Sequence, residues 1–216
     1  SDGSHSTIGG GQGNRTHADY STISGGGPVQ TSALVSNEIF DDYGAIGGGA
    51  DNTVGNDADN DQTDQPYGTV SGGRNNVSDG EGATVGGGAY NRALADFATI
   101  SGGGPLPAVP EVGNRVFDKY GTIGGGALNL AGSDDADDEN GRNATIGGGE
   151  GNLAVGPFTT IAGGVANEAR HVYGAIGGGA FNDIEATGSY GVIGGGNQNT
   201  VSGQYDVIGG GQINAA

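Results

Sequence analysis

Cysteine, methionine and tryptophan are absent from this 216-residue chain, and Lys119 is its single lysine. Without cysteine, the chain forms neither a disulfide nor a zinc–thiolate site. Its 8 Tyr and 5 Phe are too few large side chains to fill a conventional hydrophobic core. No apolar stretch approaches the length of a membrane span, and no signal peptide opens the chain. We therefore expect no direct insertion into a membrane.

Acidic side chains dominate the charge, because 25 Asp and Glu stand against 7 Lys and Arg and give a formal net charge of −18. Phosphate recognition needs clustered Lys and Arg, so nucleic acid is not expected as a partner. A highly charged surface keeps a molecule soluble but strains the compact state through self-repulsion, a balance found in halophilic proteins. The composition indicates either a high-salt habitat or the binding of divalent cations, and both interpretations stay open.

Glycine is abundant, at 51 positions, and falls in register with β-branched residues. Twelve times a β-branched residue precedes a triplet of small residues, and an Asn follows. The first copy is Ile8 with glycines 9–11 and Asn14, and the last is Ile208 with glycines 209–211 and Asn214. The basic period is fifteen residues. A short period repeated this often predicts a solenoid, in which each coil buries its apolar side against the next coil.

Strand alternation predicts the structure of each coil. In residues 21–25, Ile23 faces inward and Thr22 faces outward. The glycines that follow permit positive φ and close backbone approach, so the chain turns within a small cross-section. Asn suits a left-handed turn and can form an amide ladder along successive coils. A second short strand, such as residues 200–202, closes the coil, and no segment has a helical period.

Departures from the fifteen-residue period are insertions that occur in pairs. Residues 28–36 and 105–113 lie between the glycines and the Asn of two coils. The acidic residues 56–65 and 133–141 follow the Asn of two other coils. Both pairs are related by an offset of 77 residues, which indicates that a block of four coils was duplicated with its insertions.

One coil buries little apolar area by itself, because it contains one inward Ile or Val and one aliphatic residue after the Asn. We therefore expect several copies of the chain to pack side by side, most simply as a homotrimer about a threefold axis. The predicted fold is an all-β solenoid of about twelve coils in a single domain, residues 1–216. Its four-coil super-repeats span about 5–81, 82–157 and, in part, 158–216.

The repeat resembles the head of the trimeric autotransporter adhesins, the YadA-like left-handed parallel β-roll. The resemblance covers essentially the whole chain and rests on strings such as Tyr-Gly-Val-Ile-Gly-Gly-Gly-Asn-Gln-Asn-Thr-Val-Ser-Gly at 190–203 and Phe-Ala-Thr-Ile-Ser-Gly-Gly-Gly at 97–104. It implies an obligate homotrimer on an extracellular fibre that binds host or neighbouring-cell surfaces. It also implies which residues line each roll: Ile8, Ile23, Ile46, Val70, Val85, Ile100, Ile123, Ile146, Ile161, Ile176, Ile193 and Ile208.

These features predict a non-enzymatic structural or adhesive segment of a fibre at a cell surface or on a virion appendage. Its expected partners are further copies of the chain and a protein or glycan of a cell surface. A receptor-binding or shaft segment of a phage or viral tail fibre is one alternative, because it uses the same fold. A monomeric ligand- or ice-binding solenoid is the other, although ordinary β-propensity also explains its candidate face. That face is the column of outward threonines: Thr7, Thr22, Thr69, Thr84, Thr99, Thr122, Thr145 and Thr160.

Alternate carboxylates in the two acidic insertions form the candidate metal site. Such carboxylates can converge on one Ca²⁺, which takes six to eight oxygen ligands. The residues with this spacing are Asp57, Asp59, Asp61, Asp64, Asp135, Asp137 and Glu139. Neither insertion completes a calcium-loop motif, and the alternative is a solvated acidic loop suited to high salt. No other cofactor is predicted.

Catalysis has little support in the sequence. His5, His17 and His171 lie far apart in sequence and at different places in the coil, and nothing marks a nucleophile elbow or a paired general acid and base. We therefore expect no catalytic residues. The insertions at 28–36 and 105–113 carry Pro, Val, Leu and Ala, so they are expected either to contact a partner or to cover the roll as a flap.

Overall fold

The computed structural model describes residues 3–28, 36–56, 63–135 and 137–216. The chain divides into two compact units, Ser1–Gly113 and Asn114–Ala216. In both units, two-residue β-strands alternate with turns, and the described residues contain no helix. It follows that this part of the chain has no helix that could cross a membrane.

Short strands recur at regular spacing in the first unit. In its described residues they are β1 (Thr7–Ile8), β2 (Arg15–Thr16), β3 (Thr22–Ile23), β4 (Glu38–Ile39), β5 (Ala45–Ile46), β6 (Thr53–Val54), β7 (Thr69–Val70), β8 (Val77–Ser78), β9 (Thr84–Val85), β10 (Arg92–Ala93) and β11 (Thr99–Ile100).

The second unit continues the same alternation. Its strands are β12 (Arg115–Val116), β13 (Thr122–Ile123), β14 (Leu130–Ala131), β15 (Thr145–Ile146), β16 (Leu153–Ala154), β17 (Thr160–Ile161), β18 (Glu168–Ala169), β19 (Ala175–Ile176), β20 (Asp183–Ile184), β21 (Val192–Ile193), β22 (Thr200–Val201) and β23 (Val207–Ile208).

Each strand pairs in parallel with the equivalent strand of a neighbouring coil. The odd-numbered strands of each unit form one sheet and the even-numbered strands form another. In β1 and β3, Ile8 lies beside Ile23, and in β2 and β4, Thr16 lies beside Ile39. The predicted class, an all-β parallel solenoid, is confirmed. Because the coil is closed by two short strands and turns, its interior is only as wide as one or two side chains.

The insertions leave the strand register intact. Paired inward residues are 15 apart from Ile8 to Ile23 but 23 apart from Ile23 to Ile46. The extra residues therefore leave the pairing of the flanking strands unchanged. The step from Ile176 to Ile193 is 17 residues, which reveals a two-residue insertion that the sequence analysis did not separate.

The residues predicted to line the coils do so. From Ile23 to Ile193, the inward residues of the odd-numbered strands are at most 1% exposed, while Ile208 is 7% exposed and Ile8 is half-buried. The even-numbered strands add a second inward column that is mostly smaller, such as Ala93 and Ala131. With so little apolar volume per coil, much of the cohesion comes from hydrogen bonds between coils.

The predicted Asn ladder supplies many of those bonds. Asn52 is fully buried, and its backbone N–H and its Nδ2 both donate to Asn37 Oδ1 at 3.1 Å. Its Nδ2 also donates to the carbonyls of Gly48 and Gly73, each at 3.0 Å. The same pattern recurs in other coils of both units. The ladder thus ties each glycine turn to the coils on either side.

Left-handed backbone lies beside the ladder Asn and not at it, which corrects the sequence expectation. The residue immediately before the Asn has positive φ, as in Tyr90 (59°) before Asn91 and Phe181 (55°) before Asn182. The residue that starts each coil also has positive φ, as in Tyr43 (60°). Because the ladder Asn directs both its N–H and its side-chain amide at the preceding Asn, the turn falls on its neighbour.

Candidate interaction surfaces

The outward side of the odd-numbered strands carries no charged side chain in either unit. We call it the charge-free face and define it as the first residue of each odd-numbered strand together with the residue that follows the strand. These are Thr7, Gly9, Thr22, Ser24, Ala45, Gly47, Thr69, Ser71, Thr84, Gly86, Thr99 and Ser101 in the first unit. In the second they are Thr122, Gly124, Thr145, Gly147, Thr160, Ala162, Ala175, Gly177, Val192, Gly194, Val207 and Gly209.

This face is flat because none of its side chains is larger than Val. All of its positions are exposed or half-buried, and Val207 is 65% exposed. The predicted outward threonines are therefore found where strand alternation put them. Ala45, Ala175, Val192 and Val207 interrupt the threonine column, so the face mixes methyl groups and hydroxyls and is not a pure hydroxyl array.

The even-numbered strands present a different surface. Six of their eleven outward residues are charged: Arg15, Glu38, Arg92, Arg115, Glu168 and Asp183. Some form ion pairs across coils, as where Arg170 Nη1 lies 2.5 Å from Asp183 Oδ1 and Arg170 also binds Glu168. Charged side chains are thus frequent on the outward side of the even-numbered strands and absent from that of the odd-numbered strands.

An exposed aromatic column follows the starts of the coils. Tyr20, Tyr43 and Tyr67 stack with ring centroids 5.2 and 5.0 Å apart, and each is 47–56% exposed. In the second unit, Phe158, Tyr173, Tyr190 and Tyr205 stack at 4.9–5.1 Å. Each of these coils carries its ring at the same position, so the distance between neighbouring rings follows from the distance between parallel coils. The recurrence of an aromatic at one position of the repeat is the signal that could have predicted this column.

Side chains of the acidic insertion in the second unit form hydrogen bonds with one another and ion pairs with Lys119 and Arg142. Asp135 Oδ1 accepts the Asp137 N–H at 3.2 Å, and Asp135 Oδ2 accepts Asn140 Nδ2 at 2.6 Å. These hydrogen bonds lower the Asp135 pKa. Glu139 pairs with Arg142 at 3.0 Å and with Lys119 at 3.7 Å. The predicted ligands Asp135, Asp137 and Glu139 are therefore engaged with protein groups.

Of the ligands predicted in the first unit, Asp64 is exposed, whereas Asp57, Asp59 and Asp61 lie outside the described residues. Within the described ranges, no group of three or more His, Asp or Glu side chains is arranged to hold a metal ion. The calcium site that the sequence predicts from the alternate carboxylates of the acidic insertions therefore stays a prediction.

Two buried carboxylates were not singled out by the sequence. Asp41 is 0% exposed and Asp118 is 1% exposed. Burial raises the Asp118 pKa to about 6, while the backbone N–H groups of Ser133 and Gly141 act in the opposite direction. Asp135 and Asp138 raise this pKa further through their charge. The duplicated Phe-Asp dipeptides at 40–41 and 117–118 were the only sequence signal for this pair.

The described insertion at 105–113 projects from the coil. Residues 107–111 are exposed, including the apolar Val109, and Gly113 N–H donates to the Tyr90 carbonyl at 3.2 Å. Glu111 joins Asp51, Tyr90 and Arg92 in lining a groove of about 340 Å³. The loop therefore offers a mixed apolar and charged surface. Most of the equivalent insertion, residues 29–35, lies outside the described residues.

A serine–histidine pair was also missed. Ser189 Oγ lies 2.7 Å from His171 Nδ1, although the residues are 18 apart in sequence. Ser189 is only 8% exposed, which leaves its hydroxyl little access to a substrate. We interpret the pair as a hydrogen bond within the structure.

No protein-family model matches the chain, and no curated protein matches it in sequence. The relationship that the structure supports is therefore that of the fold, a parallel β-solenoid.

Proposed function

We propose that the chain is a non-enzymatic, self-associating segment of an extracellular fibre, and that its copies pack as a homotrimer through the charge-free face. The observation that carries this proposal is the segregation of charge. A chain with net charge −18 presents one sheet face without a single charged side chain. The YadA-like trimeric adhesins, whose repeat the sequence resembles, are the model for such an assembly.

Electrostatics favour this face over every other as the contact between copies. Identical chains of high net charge repel each other, and the repulsion is strongest where carboxylates meet. On the charge-free face, the strands approach without desolvating any charge. Its Gly, Ser, Ala and Thr side chains allow close approach of two backbones, and burial of the exposed methyl groups of Val192 and Val207 adds a hydrophobic contribution. High salt screens the remaining repulsion.

The surfaces left uncovered in such an assembly supply the adhesive role. The 105–113 insertion projects Val109 and Glu111, and the groove beside it contains an aromatic ring, an arginine and carboxylates. Aromatic and charged groups in one groove suit a protein or glycan of a cell surface. The same self-association serves equally in the shaft of a phage or viral tail fibre.

Sedimentation of matched variants tests the proposal. Thr84→Glu places a carboxylate on the charge-free face, and Thr53→Glu places one on the outward side of an even-numbered strand in the same unit. Both threonines are half-buried in the single chain, so the substitutions are comparable locally. At molar salt we expect the unmodified chain and Thr53→Glu to sediment with the mass of three chains, and Thr84→Glu as a folded single chain.

A single-chain mass for the unmodified protein contradicts the proposal, as does a trimer that survives Thr84→Glu. The first result would favour the monomeric solenoid. Its exposed threonine column is then the candidate ligand- or ice-binding surface, and inhibition of ice growth is the direct assay.

A further inference from the structure

The groove beside the 105–113 insertion is built from two columns of side chains on three neighbouring coils of the first unit. One column is the outward residues of β6, β8 and β10, which pair in register. The other is the residue immediately before the ladder Asn of each of these coils. Neighbouring parallel coils lie about 4.8 Å apart, so this floor is about 10 Å long. The floor residues are Asp51, Thr53, Asn75, Val77, Tyr90 and Arg92. We call the site the Tyr90 groove.

The Tyr90 groove is recessed and has a wall. Every floor residue except Arg92 is half-buried, and Glu111 reaches the groove from the insertion. The end of the insertion is attached beside the floor, because Gly113 N–H donates to the Tyr90 carbonyl at 3.2 Å. The volume of about 340 Å³ lies within the range of about 300–1,000 Å³ that is typical of small-molecule sites. The groove therefore has the size for a small ligand or for one unit of a larger one.

Tyr90 places an aromatic ring in the floor. It precedes the ladder Asn, whereas the rings of the exposed aromatic column start their coils, so Tyr90 is not part of that column. Arg74 Cζ lies over the ring, 5.2 Å from its centroid, and this contact helps to hold the ring in place. The C–H groups on one face of a sugar ring carry partial positive charge and pack well on the electron-rich face of an aromatic ring. Tyr90 thus provides a platform for a sugar.

The polar side chains of the groove match the hydroxyl groups of a sugar, each of which both donates and accepts hydrogen bonds. The Asp51 and Glu111 carboxylates accept, the Arg92 guanidinium donates, and the Asn75 amide does both. Within the described ranges, the side chains of Asn75 and Glu111 have neither a hydrogen-bond nor an ion-pair partner. Hydrogen bonds that involve a charged group are about twice as strong as neutral ones. Ligand hydroxyls would therefore be held firmly here.

The same side chains argue against other classes of ligand. An anionic sugar or a phosphate would face the Asp51 and Glu111 carboxylates on a chain whose net charge is −18. A hydrophobic anchor of a peptide needs an apolar pocket, whereas Val77 is the one aliphatic side chain among the described residues that line this groove. An uncharged ligand rich in hydroxyls fits both conditions.

We propose that the Tyr90 groove binds one pyranose ring of a neutral glycan, with the Tyr90 ring against one face of the sugar and the Asp51 and Glu111 carboxylates on its hydroxyls. Arg92 and Asn75 complete the hydrogen bonds from the floor. The inference deepens the adhesive part of the proposed function and rests on it for the source of the glycan, a cell surface. It does not use the charge-free face.

Saturation-transfer NMR of the whole chain at molar salt tests the site, with the methyl glycosides of glucose, galactose, mannose and N-acetylglucosamine as probes. We expect at least one probe to bind in the millimolar range. Tyr90→Phe keeps the ring, so its affinity should stay within about twofold of the unmodified chain. Tyr90→Ala should weaken binding by roughly tenfold, because the platform is lost. Glu111→Gln should weaken it by roughly fivefold, because the hydrogen bond loses its charge.

Tyr67→Ala is the matched control. Tyr67 has the same left-handed backbone as Tyr90, with φ of 68° against 59°, but its ring belongs to the exposed aromatic column. The affinity of this variant should stay within about twofold of that of the unmodified chain, once circular dichroism shows that both variants are folded. The inference is overturned if the unmodified chain binds none of the four probes, if Tyr90→Ala binds as tightly as the unmodified chain, or if Tyr67→Ala removes binding.

Sedimentation of the same samples separates this inference from the proposed assembly. A single chain that binds a methyl glycoside through Tyr90 contradicts the homotrimer and supports the Tyr90 groove as a sugar site. A trimer that binds none of the probes leaves the assembly standing and overturns the sugar site.

Discussion

Asn182 lies on Asn167 so that its backbone N–H and its side-chain Nδ2 donate to one oxygen, Asn167 Oδ1, at 3.1 and 2.9 Å. The same Nδ2 donates to the carbonyls of Gly178 and Gly196, both at 3.0 Å. One fully buried side chain therefore joins its own coil to the coils on either side. This ladder is a principal cohesive element of a fold whose apolar interior is narrow.

Replacement of a ladder asparagine should be strongly destabilising. Asn182→Ala removes the side-chain bonds and leaves the amide groups of the next ladder residue without their acceptor. Each buried polar group left unsatisfied costs about 1–3 kcal/mol, so we expect a loss of roughly 3 kcal/mol or more in the free energy of unfolding. Asn197→Ala, in the next coil but outside the ladder, should cost well under 1 kcal/mol. Denaturant unfolding compares them, and equal losses would show that the ladder is not cohesive.

Two adjacent glycines have unequal roles, which alanine substitution should reveal. Gly26 has φ of 105°, and a Cβ there would lie 2.2 Å from the Gly49 carbonyl oxygen and 2.6 Å from Asn37 Nδ2. At Gly25 the nearest atom to such a Cβ is 4.0 Å away. We expect Gly26→Ala to prevent the coil from closing and to reduce soluble, folded protein, whereas Gly25→Ala melts close to the unmodified chain. Comparable melting curves for both would contradict this packing.

The stacked aromatic column should contribute stability despite its exposure. Tyr173 lies 5.1 Å from Phe158 and 5.0 Å from Tyr190 between ring centroids, and its φ is 60°. Tyr173→Ala loses both stacking contacts but keeps the left-handed backbone, so we expect a loss of about 1–2 kcal/mol.

Tyr173→Gly separates the two effects, because glycine adopts positive φ without strain. Gly82 occupies the equivalent position in its coil with φ of 62°. The Gly variant should therefore be more stable than the Ala variant by about 1 kcal/mol. Identical unfolding free energies would mean that backbone strain at this position is negligible.

The buried carboxyl of Asp118 predicts a pH dependence of stability. Its pKa is raised by burial to about 6 in the folded chain, so the folded state holds this proton more tightly than the unfolded state. The contribution of Asp118 to stability therefore falls as pH rises from about 4 to about 6, and then levels off. Asp118→Asn should remove a decrease on the order of 2–3 kcal/mol over that window. Thermal melts of the two proteins across pH provide the comparison, and parallel curves would contradict the assignment.

Much of the fold could be predicted from the sequence because the repeat is short and regular. Ile23 and Thr22 differ by one position, so strand alternation alone assigns one to the interior and the other to the surface. The Asn ladder followed for the same reason, since any residue repeated once per coil must stack on itself. The positions of the insertions could also be predicted from the breaks in the period, and the structure shows that the strand register is unchanged across them.

The remaining features depend on contacts that no periodic pattern encodes. The left-handed conformation of Tyr90 arises because the backbone N–H and the side-chain amide of Asn91 both donate to the preceding Asn of the ladder. That contact joins two coils and is not visible in a local sequence pattern. The burial of Asp41 involves the backbone of Gly55, and that of Asp118 the backbones of Gly132 and Gly141, all more than ten residues away in sequence. The segregation of charge became visible only when the strands were assigned to two sheets.

The most direct test of the central claim, that copies meet through the charge-free face, is the reactivity of single thiols. The chain has no cysteine, so Thr84→Cys and Thr53→Cys each introduce one thiol, and both positions are half-buried in a single chain. A small uncharged maleimide at molar salt reports their accessibility. We predict that the thiol at position 84 reacts at least tenfold more slowly than the thiol at position 53, and that dilution below the assembly concentration removes the difference. Equal rates at all concentrations would contradict the account.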